Sequence, residues 1–224
     1  MNNTNIFAKG YSKYKYIWVF LIGCVFGYVY ETLLCLAVNG VIENKQGLLI
    51  GPFAPVYGVG AIVYMYFLKN EKKAFNIFIY STIIGGVVEF IYSFLQELYF
   101  GTVSWDYSEY FLNFQGRTSL LHALFWGILG VFFCKMIYPF ISELIEKIPA
   151  KIGIVTSWIV VIFMSFDIYF SILVSLRQSE RILGKAPQSV IEEAIDKYYT
   201  NEKLQNIYPG HIRKNKIGYN VSKN

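Results

Sequence analysis

Five stretches of this chain, residues 16–38, 48–68, 74–97, 119–140 and 152–176, are apolar over about twenty residues each. That is the length a helix needs to cross the hydrocarbon of a bilayer, and the connections between them (39–47, 69–73, 98–118 and 141–151) are short. With 55% hydrophobic and 16% charged residues, a chain of 224 residues carries more apolar surface than one soluble core can hide. The expected fold is all-α, a polytopic transmembrane helical bundle of about five spans. Residues 1–15 form an N-terminal tail, 16–176 the bundle, and 177–224 a polar, basic C-terminal tail.

The second segment is the one least able to be a plain helix. Gly47, Gly51, Pro52, Pro55 and Gly58 fall within twelve residues. Prolines and glycines there free backbone groups that lipid does not satisfy. The segment is therefore either a broken helix packed against protein or a re-entrant stretch leading into a shorter helix near 56–68, and in both cases it faces the bundle.

Charge placement sets the orientation. Lys9, Lys13, Lys15, Lys69, Lys72, Lys73, Lys147 and Lys151 collect on one side, against Lys45 and Arg117 near the other, joined there by Arg177, Arg181 and Lys185 if five spans place the tail outside. Positive residues favour the cytoplasmic side, so the N-terminus is expected there, in a cell membrane. Five crossings put the tail outside; if the second segment does not cross, the tail returns to the cytoplasm. The tail is expected to be solvated apart from one helix from about Pro187 to Tyr199, with Glu192 and Glu193 in its early turns. Basic residues scattered over tails and short loops argue for membrane orientation and against nucleic-acid binding.

Polar residues inside the spans carry the chemistry. Gly23, Gly27 and Glu31 recur every four residues and share one helix face, as do Gly85, Glu89, Ser93 and Glu97, and again Asp167, Ser171 and Ser175. Small residues let helices approach closely, and intramembrane acids face a partner or a wet cavity. Arg117 is the nearest cation, so a bridge from Glu31 or Glu89 to Arg117 is a simple arrangement. Such a cluster serves either a substrate path or helix packing. The aromatic loop 98–118 has capping-box spacing at Asp106 and Glu109, which predicts a short helix from Tyr107. That helix is either a lid over the bundle or an interfacial anchor.

Several chemistries are excluded by motif. There is no G-x-x-x-x-G-K-[ST] phosphate loop, so the chain does not hydrolyse ATP by itself. Two histidines and three scattered cysteines show no zinc spacing, and no G-x-S-x-G elbow occurs. No cofactor is implied, and enzymatic activity is not expected.

Several short motifs occur in an order that resembles a known family. They are Gly27-Tyr28-Val29-Tyr30-Glu31-Thr32, Gly51-Pro52, Pro55-Val56-Tyr57-Gly58-Val59-Gly60, Glu89, Trp105-Asp106-Tyr107-Ser108, Asn113-x-x-Gly116-Arg117 and Trp126-Gly127. Over residues 16–135 the chain resembles the bacterial family named putative ABC-transporter type IV, small polytopic proteins described as ABC-transporter permeases. In that family an Asn-Arg-Gly precedes the Gly-Pro. Here Asn44-Lys45-Gln46-Gly47 stands instead, and the adjacent Lys45 is a poor substitute for a guanidinium fork. The resemblance implies a transport component that works with a separate ATPase. The candidate polar core or substrate path, read from the residues, is Glu31, Glu89, Arg117, Asp106, Asn113, Tyr57 and Asp167. An intramembrane lipid-handling enzyme or lipid-binding protein, and a structural or regulatory membrane subunit, are the alternatives.

Overall fold

The structure, a computed structural model, describes residues 6–214. Helix α1 (Lys13–Asn39) runs from the N-terminal end of a bundle to its opposite end, where an irregular connection precedes α2 (Pro55–Leu68). Helix α3 (Ala74–Phe100) returns across the bundle, followed by strand β1 (Thr102–Val103) and the hairpin of β2 (Asn113–Phe114) and β3 (Thr118–Ser119). Helix α4 (Leu120–Phe132) passes through a π-helical turn (Phe133–Ile137) into α5 (Tyr138–Glu146). Helix α6 (Ala150–Ile182) makes the last pass. Beyond it lie α7 (Val190–Tyr198), α8 (Asn201–Ile207) and β4 (Ile212–Arg213), which pairs antiparallel with β1.

Among the described residues, four helical stretches are long and apolar enough to cross a membrane: Lys13–Asn39, Ala74–Phe100, Leu120–Glu146 and Ala150–Ile182. At 27 residues a helix spans about 40 Å, more than the hydrocarbon requires. Helix α2 has only 14 residues, about 21 Å, and is short for a crossing. Large apolar side chains such as Leu33, Val38, Phe75 and Ile162 point outward, as lipid-facing surfaces do.

Close helix approach rests on glycine. A methyl at Gly23 would come within 3.0 Å of the Gly58 Cα, and one at Gly27 would fall 2.5 Å from the Tyr57 Cβ, so α1 and α2 touch almost backbone to backbone. Gly85 does the same for α3 against Trp126 of α4. At the N-terminal end Lys15, fully buried, donates to the Ser142 carbonyl (3.0 Å) and pairs with Glu146 (2.8 Å), which ties the start of α1 to α5.

The stretch before α2 is not helical, and its freed backbone groups are satisfied by protein. Gly51 adopts φ +82, which favours glycine. The Leu49 N–H donates to Ser171 Oγ (2.9 Å) and the Ile50 N–H to Asp167 Oδ1 (3.1 Å), both on α6. The Ala54 N–H donates to the Cys24 carbonyl of α1 (2.9 Å). Asp167 is thus a buried acceptor for irregular backbone. Asp167→Leu strips the Ile50 N–H of its partner and is expected to cost about 1–3 kcal/mol of stability. Asp167→Asn keeps an acceptor oxygen and should melt close to the parent in detergent. Equal melting of the leucine and asparagine variants would contradict this account.

The C-terminal segment differs from the expected solvated tail with one helix. Up to residue 214 it contains two short helices, and Ile195, Leu204 and Tyr208 are buried against Leu49 and Val174. Arg177, near the end of α6, grips Asp196 through two nitrogens (3.0 and 2.6 Å), and Arg181 adds a third contact (2.7 Å). Amphipathic helices this short fold only where an apolar face finds a surface, and α6 with residue 49 supplies it.

Candidate functional site

A polar cavity of about 130 Å³ lies at the tail end of the bundle. Its walls come from six parts of the chain. Helix α1 contributes Glu31, the irregular connection Lys45 and Gln46, and α2 Tyr57. Helix α3 and the aromatic loop contribute Tyr92, Trp105 and Tyr107, and the tail contributes Tyr208 and His211.

Glu31 follows the Gly23–Gly27 stripe, so the same close approach that brings α1 onto α2 puts its carboxylate against Tyr57. The Tyr57 hydroxyl donates to Glu31. Across the site the Tyr107 hydroxyl donates to Glu89 Oε1 (3.1 Å), and Thr118 and Trp126 flank the same carboxyl group. Burial, and after it the Glu89 and Glu31 charges, push the Tyr107 phenol up, which keeps it a donor. Rings stack in sequence: Tyr92 against Trp105 at 5.9 Å, Trp105 against Tyr107 at 6.4 Å, and Tyr107 against His122, behind the wall, at 3.6 Å, all near parallel.

His211 is held in one tautomer. Gln96 Oε1 accepts from the Ser104 N–H (3.1 Å), so the Gln96 amide nitrogen must face His211 Nε2 (3.3 Å), which then accepts. Burial, with the Arg213 guanidinium nearby, pushes His211 down to about 4, so the ring is neutral. Lys45 pairs with Glu43.

The expected bridge from Glu31 or Glu89 to Arg117 does not form. Arg117 pairs with Glu97 (2.7 Å), reaches Ser93 Oγ (3.5 Å) and lies over the rings of Phe90 and Phe94. Arg117 follows the β2–β3 turn, and its reach ends on the lipid-side edge of α3, one turn beyond Ser93. The predicted helix at Tyr107 is also absent. The Asp106 carboxylate accepts from the Ser108 N–H (3.0 Å) and hydroxyl, and this local turn competes with helix formation.

Of the remaining sequence candidates, Pro55 alone lines the cavity. Asp106 pairs with Lys214 of the tail (2.6 Å), and Asn113 bonds the Ser108 and Tyr110 carbonyls and the Gly116 N–H (each 3.0 Å). Both organise the loop. Asp167, Gly51 and Pro52 belong to the irregular connection, Gly58 to the α1–α2 contact, and Pro55 to the cavity rim. Tyr92, Tyr208 and His211 went unpredicted, because residues 208 and 211 reach the cavity only through tail docking. Among the described residues, no group of three or more His, Cys, Asp or Glu gathers to hold a metal.

The family named putative ABC-transporter type IV matches residues 18–172. The chain belongs to that family. No curated protein and no solved structure matches it. The family match extends past the motifs of the first four segments into α6, as far as residue 172, and so includes Asp167 and Ser171. Membership in this ABC-transporter permease-like family, together with the multi-span apolar helices, marks a transport-related polytopic membrane protein.

Proposed function

We propose that this family member is the membrane-embedded, permease-like component of a transporter driven by a separate ATPase, and that the tail-end cavity is its substrate site. The supporting observation is that Glu31 and Tyr57 meet beside irregular backbone in a polar cavity at the end of the bundle. Discontinuous segments that place backbone and acids at a site are a recurring device of transporters. An N-terminus in the cytoplasm gives the cavity access to the outer side and leaves residues 69–73 and 147–149 at the ATPase side. Those connections are short, so an ATPase engages helix ends rather than long coupling loops.

Tagged protein isolated in mild detergent is expected to bring down a nucleotide-binding subunit identifiable by mass spectrometry. ATP addition to that complex should change the protease sensitivity of the bundle. Isolation with no ATPase, and no response to nucleotide, would sink the reading.

A further inference from the structure

The charge balance of the cavity is uneven. Lys45 is neutralised by Glu43, and His211 is a neutral acceptor from Gln96. Arg117 is engaged by Glu97. Glu31 accepts from the Tyr57 hydroxyl, and among the described residues it has no ion-pair partner. It lies eight residues before the end of α1, about 12 Å along the helix, and the turn that follows it presents Leu33 and Leu34 outward. An acid at that depth is costly without a compensating cation.

The walls around it suit a cation that is itself partly apolar. Tyr57, Trp105, Tyr107 and Tyr208 supply aromatic surface, and π systems attract ammonium groups within about 6 Å of a ring centroid. A bare metal ion needs several oxygen ligands, whereas an organic ammonium needs one counter-charge and aromatic walls. A volume of about 130 Å³ leaves room for a small head group.

We propose that this cavity binds an ammonium group, of a small organic amine or of a lipid head group, with Glu31 as its counter-ion and the tyrosine and tryptophan rings as its cage. The proposal takes the cavity to be the substrate site assigned above and names the ligand class, but binding itself requires no ATPase. Its test is therefore made on the purified chain, and failure of ATPase co-isolation leaves the outcome standing on its own.

The probe is tetramethylammonium chloride or choline chloride, titrated into full-length protein in phosphatidylglycerol nanodiscs and followed by tryptophan fluorescence and calorimetry. Sodium chloride and sodium phosphate are the controls. Saturable binding of the ammonium salts, without binding of phosphate, is expected. Glu31→Gln, which keeps an acceptor for Tyr57, should weaken that binding at least tenfold, whereas Glu31→Asp should retain it more closely. Should Glu31→Gln fail to fold, the unmodified protein still decides: the ammonium salts should protect the Glu31 peptide from carbodiimide labelling, read by mass spectrometry. Repeating the titration in phosphatidylethanolamine nanodiscs separates the sources. Weaker apparent binding there assigns the site to a lipid head group, and unchanged binding to a free amine. Binding of phosphate in place of the ammonium salts, unchanged affinity in folded Glu31→Gln, or no protection of Glu31 would overturn the proposal.

Discussion

Gly85→Ala is expected to prevent normal packing of α3 on α4, while Gly86→Ala, one residue along, is expected to be tolerated. A Cβ at residue 85 would lie 2.2 Å from the Cβ and 2.4 Å from the Cγ of Trp126. Neither atom is the free end of a side chain, so relief requires the helices to separate or Trp126 to leave its place. Trp126 is 7% exposed, packs beside Tyr57 at 5.2 Å, and its carbonyl accepts from Tyr64 (3.1 Å). Its displacement disturbs the α2 contact as well. Overpacking of this kind costs about 1–3 kcal/mol or more. At residue 86 the new methyl would meet the Ala123 Cβ at 3.6 Å, an ordinary contact, and alanine favours a helix over glycine by about 1 kcal/mol. Detergent melting curves should show a large loss for the first variant and little change for the second. Similar curves for the two would refute the close-approach argument.

Acidification is expected to undock the tail in two stages. His211 is held at about 4 in the folded chain against an ordinary value near 6.5. The undocked state therefore binds the extra proton first. The stability that the neutral ring contributes is complete above about 6.5 and is lost as pH falls toward 4, by up to about 3 kcal/mol. Two carboxylates act lower. The Arg177 and Arg181 hydrogen bonds hold Asp196 below the usual aspartate range. Burial alone would raise Asp106, but the Lys214 ammonium and Ser108 outweigh it and hold it low. Depressed carboxylates stabilise above their unfolded value and lose that contribution as pH falls through the folded one, so this second loss comes below about 4.

Hydrogen exchange of residues 190–214 should therefore accelerate between pH 6.5 and 4, with α1 and α3 unaffected. His211→Gln should flatten the first stage and leave the second. Protection that is constant down to pH 4 in the parent protein would contradict the tautomer assigned to His211. Because Tyr208 and His211 close the cavity, undocking also exposes Glu31 from the tail side.

Much of the bundle was legible in the chain. Apolar length marked the long helices, since a helix satisfies twenty residues of backbone in lipid, and Gly-Pro spacing marked residues 47–58 as a broken or re-entrant stretch for the same reason, of which 55–58 open α2. The four-residue recurrence of Gly23, Gly27 and Glu31 put the acid on the close-packed face, because helical period is a local property. The partners of the charged groups were not legible. Arg117 chose Glu97 over Glu31 and Glu89, a choice set by where the β2–β3 turn delivers its side chain. Asp106 made a local turn rather than a helix, since Ser108 competes for its carboxylate two residues on.

What the sequence by itself determined is a family member with long apolar helices, small-residue contact faces and acids along them. Only the tertiary structure decided that Glu31 has no ion-pair partner among the described residues, that Ser171 and Asp167 of α6 accept from the backbone of Leu49 and Ile50, and that residues 208 and 211 line the cavity. The last two of those outcomes depend on residues more than a hundred positions apart, and the first on which acid Arg117 reaches. Hydropathy and helical period, which act over a few turns, carry no information at that range.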